Sequence, residues 1–201
     1  PQFAQSCHSF THSIGEAAYA KFANREEFAV VPKTAYCGYG FYHGFMEALL
    51  QHSRNFEEAR KFCAYVDEKL SKITPDAELQ CFHGIGHGTV NDHDPRNRGN
   101  EQALVGSALI LCEKVSETIL QLYRCASGVF NGLANFYMEG EYGLIIKKDD
   151  PLWICREQKK EYQEACYGNM NVALMWLAKQ NFAAAARFIE RIHENDQAVK
   201  A

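Results

Sequence analysis

Apolar residues recur at three- and four-residue intervals through three stretches of the chain, at positions 55–73, 101–115 and 150–165. That spacing places one apolar stripe along a helix and predicts amphipathic α-helices there. Asn55 and the pair Asp150-Pro151 supply helix starts, one through a capping side chain and the other through a proline in the first turn. Thr74-Pro75-Asp76 ends one helix and opens the next. Strict alternation of apolar and polar residues is absent, and the apolar run at 30–33 is too short for a strand. The chain reads as all-α.

Between these stretches runs a second pattern. Cys37, Cys81 and Cys125 stand 44 residues apart and open the segments CGYGFYHGFMEA, CFHGIGHGTVND and CASGVFNGLANF. Cys166 opens a fourth, divergent copy, and Cys7 a fifth, CHSFTHSIGEAAY. Repeats of this length are supersecondary units that bury their apolar faces by stacking. Each unit is therefore a helical hairpin, with cysteine-headed inner helices near 7–22, 37–52, 81–92, 125–139 and 166–180 in one domain over 1–201. The aromatics Tyr36, Tyr39, Phe41, Tyr42 and Phe45 line the core or the inner face. The tail 181–201 reads as an amphipathic helix covering the last repeat.

Eight cysteines without a CxxC pair disfavour zinc ribbons and thioredoxin-like sites and read as disulfides, hence an oxidising compartment. The repeat pairs an outer-helix cysteine with the head of the following inner helix: Cys63–Cys81, Cys112–Cys125 and Cys155–Cys166, leaving Cys7–Cys37. Loops of that size contribute about 3 kcal/mol each by chain entropy. Glycines at Gly40/Gly44, Gly84/Gly88 and Gly128/Gly132 form a stripe at i, i+4. Each costs a helix about 1 kcal/mol relative to alanine, so the stripe predicts close helix–helix approach, in an α/α toroid or a tightly curved solenoid. The segments around Gly40–Gly44 and Gly84–Gly88 resemble the inner-helix glycine motifs of the lanthionine cyclase-like α/α toroids. The resemblance implies a barrel with its site at one end of the inner helices. That family is made of zinc enzymes that use cysteines as ligands; only its architecture is carried over.

The histidines follow the same register. His43, His87 and Asn131 are equivalent, with Glu47, Asn91 and Asn135 four residues on, and the first copy gives His8, His12 and Glu16. These spacings set His8-His12-Glu16, His43-Glu47 and His83-His87-Asn91 each on one helix face. Imidazoles with one or two carboxylates are ligands for zinc, iron, copper or manganese. The expected metal ligands are His12, His43 and His87, with His8 available to a second ion or an outer shell. Glu16 or Glu47 would be a fourth ligand or general base, with His83 a further catalytic candidate. Asn131, Asn135, Asn91 and Tyr42 would orient ligands or substrate. The bland alternative is a hydrogen-bonded histidine core. His52 and His193 fall outside the pattern and read as surface residues, and the loop 91–100 reads as a polar turn.

Composition narrows the function classes. The chain has 201 residues, 47% apolar and 23% charged, with net charge −4 and its 21 basic residues scattered, which excludes disorder and disfavours nucleic acid. No run approaches the roughly 18 apolar residues of a membrane span, although the start at Pro1 leaves room for an anchor or partner domain upstream. Nucleophile-elbow, phosphate-loop, dinucleotide and His-Glu-x-x-His motifs are absent. The leading expectation is an exported metal-dependent enzyme, secreted, periplasmic or on an extracellular membrane face. A divalent transition metal, zinc or iron with copper also compatible, would activate water or oxygen on a small-molecule or peptide substrate. The alternatives are a non-catalytic metal- or ligand-binding protein and a helical-repeat scaffold with structural histidines.

Overall fold

The computed structural model describes residues 2–91 and 95–190. Helices α1 (Gln2–Ala23), α2 (Gly40–Ser53), α3 (Phe56–Leu70), α4 (Ala77–Val90), α5 (Glu101–Val115), α6 (Ile119–Glu139), α7 (Trp153–Arg156), α8 (Lys160–Leu177) and α9 (Phe182–Glu190) follow in order. No strand occurs among the described residues. The expected tail helix is α9 up to Glu190; residues 191–201, with His193, lie outside the described residues, as do 92–94 of the polar loop.

The packing forms two layers. α1 packs on α2, α2 on α4, α4 on α6 and α6 on α8, giving an inner row, while α3 lies against α4 and α5 bridges α4 and α6 from outside. Phe45 and Phe62, with stacked rings 4.0 Å apart, tie α2 to α3. Phe41, Tyr42 and Phe45 are core residues as expected, but Tyr36 is 60% exposed. It precedes α2 in the turn that leads to the Cys7–Cys37 bridge, so no neighbouring helix covers it.

All four expected disulfides are present: Cys7–Cys37, Cys63–Cys81, Cys112–Cys125 and Cys155–Cys166. No cysteine is left free as a metal ligand. The bridged cysteines do not head the inner helices, however. α4 starts at Ala77, just past the Thr74-Pro75-Asp76 break, and α6 at Ile119 behind a capping box, both ahead of Cys81 and Cys125. At α6, Thr118 accepts from the Gln121 amide while the Gln121 side chain accepts from the Thr118 amide. Cys37, with φ 57°, sits before α2 in left-handed backbone.

The stretch 150–165 is also not one helix. α7 ends at Arg156 and α8 begins at Lys160. A continuous helix would set Cys155 and Cys166 about 16 Å apart at 1.5 Å per residue, whereas the bridged Cα atoms are 5.4 Å apart. The chain must reverse between them.

The glycine stripe seats the inner helices on each other's backbone. A Cβ on Gly44 would lie 2.0 Å from the His12 carbonyl oxygen, and one on Gly128 would lie 1.9 Å from that of His83. Only glycine fits such an approach. Gly168 on α8, by contrast, has open space where a Cβ would stand.

Gly128→Ala should therefore destabilise the fold by about 1–3 kcal/mol through overpacking. Gly168→Ala should gain up to about 1 kcal/mol of helix propensity. Denaturant unfolding of the two variants beside the parent checks the difference in sign. A neutral Gly128→Ala would refute the backbone-contact account.

Candidate metal centre

Five histidine rings gather where α1, α2 and α4 meet. His43 of α2 is central, with ring centroids 5.0 Å from His8, 6.2 Å from His12, 5.0 Å from His83 and 4.3 Å from His87. The pairs His8/His12 and His83/His87 come from neighbouring helices on either side, each pair separated by one helical turn. His43, His83 and His87 are buried, at 5%, 8% and 5% exposure. Each of these three offers a nitrogen such that all three atoms lie within 4.8 Å of one another.

Glu47 organises the protons. Its Oε2 is 3.3 Å from His12 Nε2 and its Oε1 is 3.4 Å from His87 Nδ1. Burial alone would raise the Glu47 pKa, but the hydrogen bonds from His12 and His87 outweigh it and bring the value down to about 2. An ionised carboxylate only accepts, so His87 Nδ1 carries a proton and its Nε2 is the nitrogen turned away from Glu47. That Nε2 is buried with no hydrogen-bond partner, and so is His83 Nδ1. His8 is oriented differently, with Nδ1 donating to the Cys37 carbonyl at 2.9 Å.

Charge is divided between the two sides. Burial lowers the pKa of His43 well below the ordinary histidine value, helped by His87 and the other nearby rings. Burial likewise lowers His83, helped by His87 and the Arg124 guanidinium. Both rings are neutral at neutral pH, the form that ligates a metal. Burial also works against a charged His12, but the carboxylates of Glu47 and Glu16 overcome it and raise its pKa. His12 Nδ1 lies 3.5 Å from Glu16.

The sequence-derived ligand set is thus rearranged. His43 and His87 converge as expected, but the third converging ring is His83, assigned above to catalysis. His12, expected as a ligand, has both nitrogens turned to carboxylates. Glu47 has both oxygens on histidines, and Glu16 is exposed at the edge.

A cavity of 440 Å³ opens beside the rings, lined by His8, His12, His43, Glu47, His87, Asn91 and Asn135 together with Phe136, Glu139 and Glu141. Asn91 also meets the Tyr142 hydroxyl. Asn131 is half-buried and does not line this cavity. Tyr42 is fully buried with its hydroxyl 2.9 Å from Thr34 Oγ1, away from the cavity wall. His52 is exposed and stacks on Tyr19. Glu139 was missed in the sequence, though it continues the same face four residues beyond Asn135.

Four disulfides fit an oxidising compartment. Among the described residues no helix is long and apolar enough to cross a membrane. No protein-family model, no curated protein and no solved structure matches the chain.

The metal-free protein should lose stability on acidification. His43 and His83 have folded pKa values below their unfolded ones, so below about pH 6.5 the unfolded chain binds protons that the native state refuses. Stability then falls with a slope approaching about 2.7 kcal/mol per pH unit for two protons. Glu47 adds a further loss only as pH drops from its unfolded value of 4.5 toward about 2. Urea unfolding between pH 7.5 and 4.5 measures the slope, and His43→Asn/His83→Asn should flatten it. An equal slope in that variant would show the rings to be protonated in the fold.

Proposed function

We propose that the protein is an exported metal-dependent enzyme whose divalent transition metal is held by His43, His83 and His87. The observation that carries this reading is the pair of buried, unpartnered ring nitrogens, His87 Nε2 and His83 Nδ1, within a converging three-histidine group. Unsatisfied buried polar atoms cost about 1–3 kcal/mol each, and a metal ion removes that cost. Three imidazoles suit zinc and non-haem iron, with copper also compatible. Three protein ligands beside a cavity are also the arrangement of catalytic sites, which keep a position open, rather than of closed structural ones. A bound ion of this kind supplies an activated water or polarises a substrate oxygen.

The chain's own residues divide the remaining work. Glu47 holds the His87 tautomer and ring orientation through Nδ1, as carboxylates behind metal-binding histidines do. His12, whose pKa Glu47 and Glu16 raise, lies on the cavity wall and carries positive charge toward it while both its nitrogens hold carboxylates. Asn91 and Asn135 present amides to a small-molecule or peptide substrate. Residues of α1, α2, α4 and α6 all reach this cavity, which supports reading the inner row as a tightly curved solenoid. The resemblance to the lanthionine cyclase-like toroids would carry over the α/α architecture alone. Their cysteine-bound zinc does not carry over, because the cysteines here are bridged.

A second reading, a non-catalytic metal carrier, draws on one observation. Both Glu47 oxygens are engaged by histidines, so the carboxylate nearest the three rings is not free to act as a base.

Protein purified without a metal-affinity tag should contain, or take up, one equivalent of zinc or iron by inductively coupled plasma mass spectrometry. His43→Ala/His87→Ala should lose it while keeping its helical circular dichroism. Cobalt-substituted protein should change its visible spectrum when azide is added, reporting an open coordination position. Metal uptake with a spectrum indifferent to azide would favour the carrier. No uptake by a folded protein would leave the histidines structural.

A further inference from the structure

The four disulfides differ in access. Cys63, Cys81, Cys112, Cys125, Cys155 and Cys166 are all 0% exposed, so three bridges are sealed inside the fold. Cys7 and Cys37 are only half-buried, and their bridge keeps part of its surface in solvent. Thiol–disulfide exchange needs a thiolate to reach sulfur, which the fold allows at this bridge and denies at the other three.

The accessible bridge also anchors a strained turn. Cys37, Gly38 and Tyr39 have φ of 57°, 67° and 62°, three consecutive residues in the left-handed region. Only glycine visits that region at no steric cost, so Cys37 and Tyr39 are held there by their surroundings. Helix α2 then starts from Tyr39 without a capping side chain. The Cys7–Cys37 bond and the hydrogen bond from His8 Nδ1 to the Cys37 carbonyl, at 2.9 Å, tie this turn to α1. His8 in turn connects it to the histidine cluster, with its ring 5.0 Å from that of His43 and on the wall of the 440 Å³ cavity.

We infer that Cys7–Cys37 is a reversible thiol-exchange site whose opening releases the 37–39 turn and the His8 ring at the cavity. A thiolate of a dithiol reductant attacks one sulfur, the S–S bond breaks, and the second sulfur leaves as a thiolate that takes a proton. The reductant's other thiolate then attacks the reductant's sulfur in the mixed disulfide. The bridge ends as two thiols, richer by two electrons and two protons, and the reductant ends as its own disulfide. α1 stays docked meanwhile, because its seat further along does not involve the bridge. A Cβ on Gly15 would lie 2.0 Å from the Phe41 carbonyl oxygen, and one on Gly44 the same distance from that of His12. No part of the exchange uses a bound ion, so it stands apart from the metal-centre reading.

Folded, metal-free protein treated with dithiothreitol, quenched with iodoacetamide and peptide-mapped by mass spectrometry tests the site. Cys7 and Cys37 should be alkylated at least about tenfold faster than any other cysteine, and oxidised glutathione should close the bridge again. Proton NMR should show the His8 ring signal, identified by its loss in His8→Gln, moving on reduction while helical circular dichroism is retained. Cys7→Ser/Cys37→Ser should resemble the reduced parent, with its six remaining cysteines inert to the same treatment. If that variant does not fold, the parent's alkylation order decides alone. Opening of a buried bridge first, all four bridges opening together, or none opening before unfolding would overturn the proposal. Selective opening that left the His8 signal in place would also overturn it. A protein that takes up no zinc yet opens this bridge first leaves the proposal standing while the metal reading fails.

Discussion

The structure depends on helices that touch backbone to backbone. Helices packed through side chains stand 8–10 Å apart, whereas here the glycines of one inner helix lie against the carbonyls of the next. The carbonyls that receive them belong in part to the site itself: Gly40 faces His8, Gly44 faces His12 and Gly128 faces His83. Seating a helix and placing an imidazole are therefore the same event. A shift of half an ångström at a glycine moves a histidine ring by a similar amount, which is the tolerance that a ligand set allows. The disulfides act at a coarser level. They pin α3, α5 and α7 to the backs of the inner helices, and the outer layer then holds the row in place.

Within that frame the polar cluster is held by an unequal division of protons. One carboxylate, Glu47, serves two rings of opposite character. It favours the charged form of His12, which faces a second carboxylate, and holds the ring of His87 through Nδ1. His43 sits between the two pairs and cannot share either charge, since every neighbour within ring contact on the polar side is another imidazole. Protonating it would bury a charge among potential charges. Among the described residues the buried ring nitrogens without partners, His83 Nδ1 and His87 Nε2, lie on the flank away from the His12 ion pair.

Much of this was legible before the structure. The 44-residue spacing gave the repeat, and the repeat gave all four disulfide pairs and the helix faces that carry the histidines. Periodicity along one helix could not say how two helices are set against each other. His83 and His87 share the face of α4, and whether His43 meets one, the other or both depends on how far α2 slides along α4. That offset comes from Gly84 meeting the Tyr42 carbonyl and Gly88 meeting Met46 and Leu50, contacts invisible in a single segment. His12 was placed among the ligands because it follows His8 at i, i+4, as His87 follows His83. Its surroundings differ because Glu16 and Glu47 reach it from two helices. The broken helix at 156–160 was missed for a simpler reason, since apolar periodicity continues across a chain reversal when both sides face the same core.

The decay of the repeat along the chain has a structural meaning. The position held by His43 in α2 and His87 in α4 becomes Asn131 in α6, and it no longer reaches the cavity. What α6 contributes instead is Gly132, whose missing side chain leaves room for the His87 ring and Val90, followed by Asn135 and Glu139 further along the same face. The fourth copy has no such residues, and α8 is tied to α6 by Asn169, which donates to Ser127 Oγ at 2.8 Å, well away from the rings. One repeat architecture thus carries imidazoles on its first three inner helices, carboxylates and amides on the fourth, and plain packing on the fifth. A gradient of this kind makes two unlike walls from equivalent positions, one of imidazoles and one of carboxylates and amides.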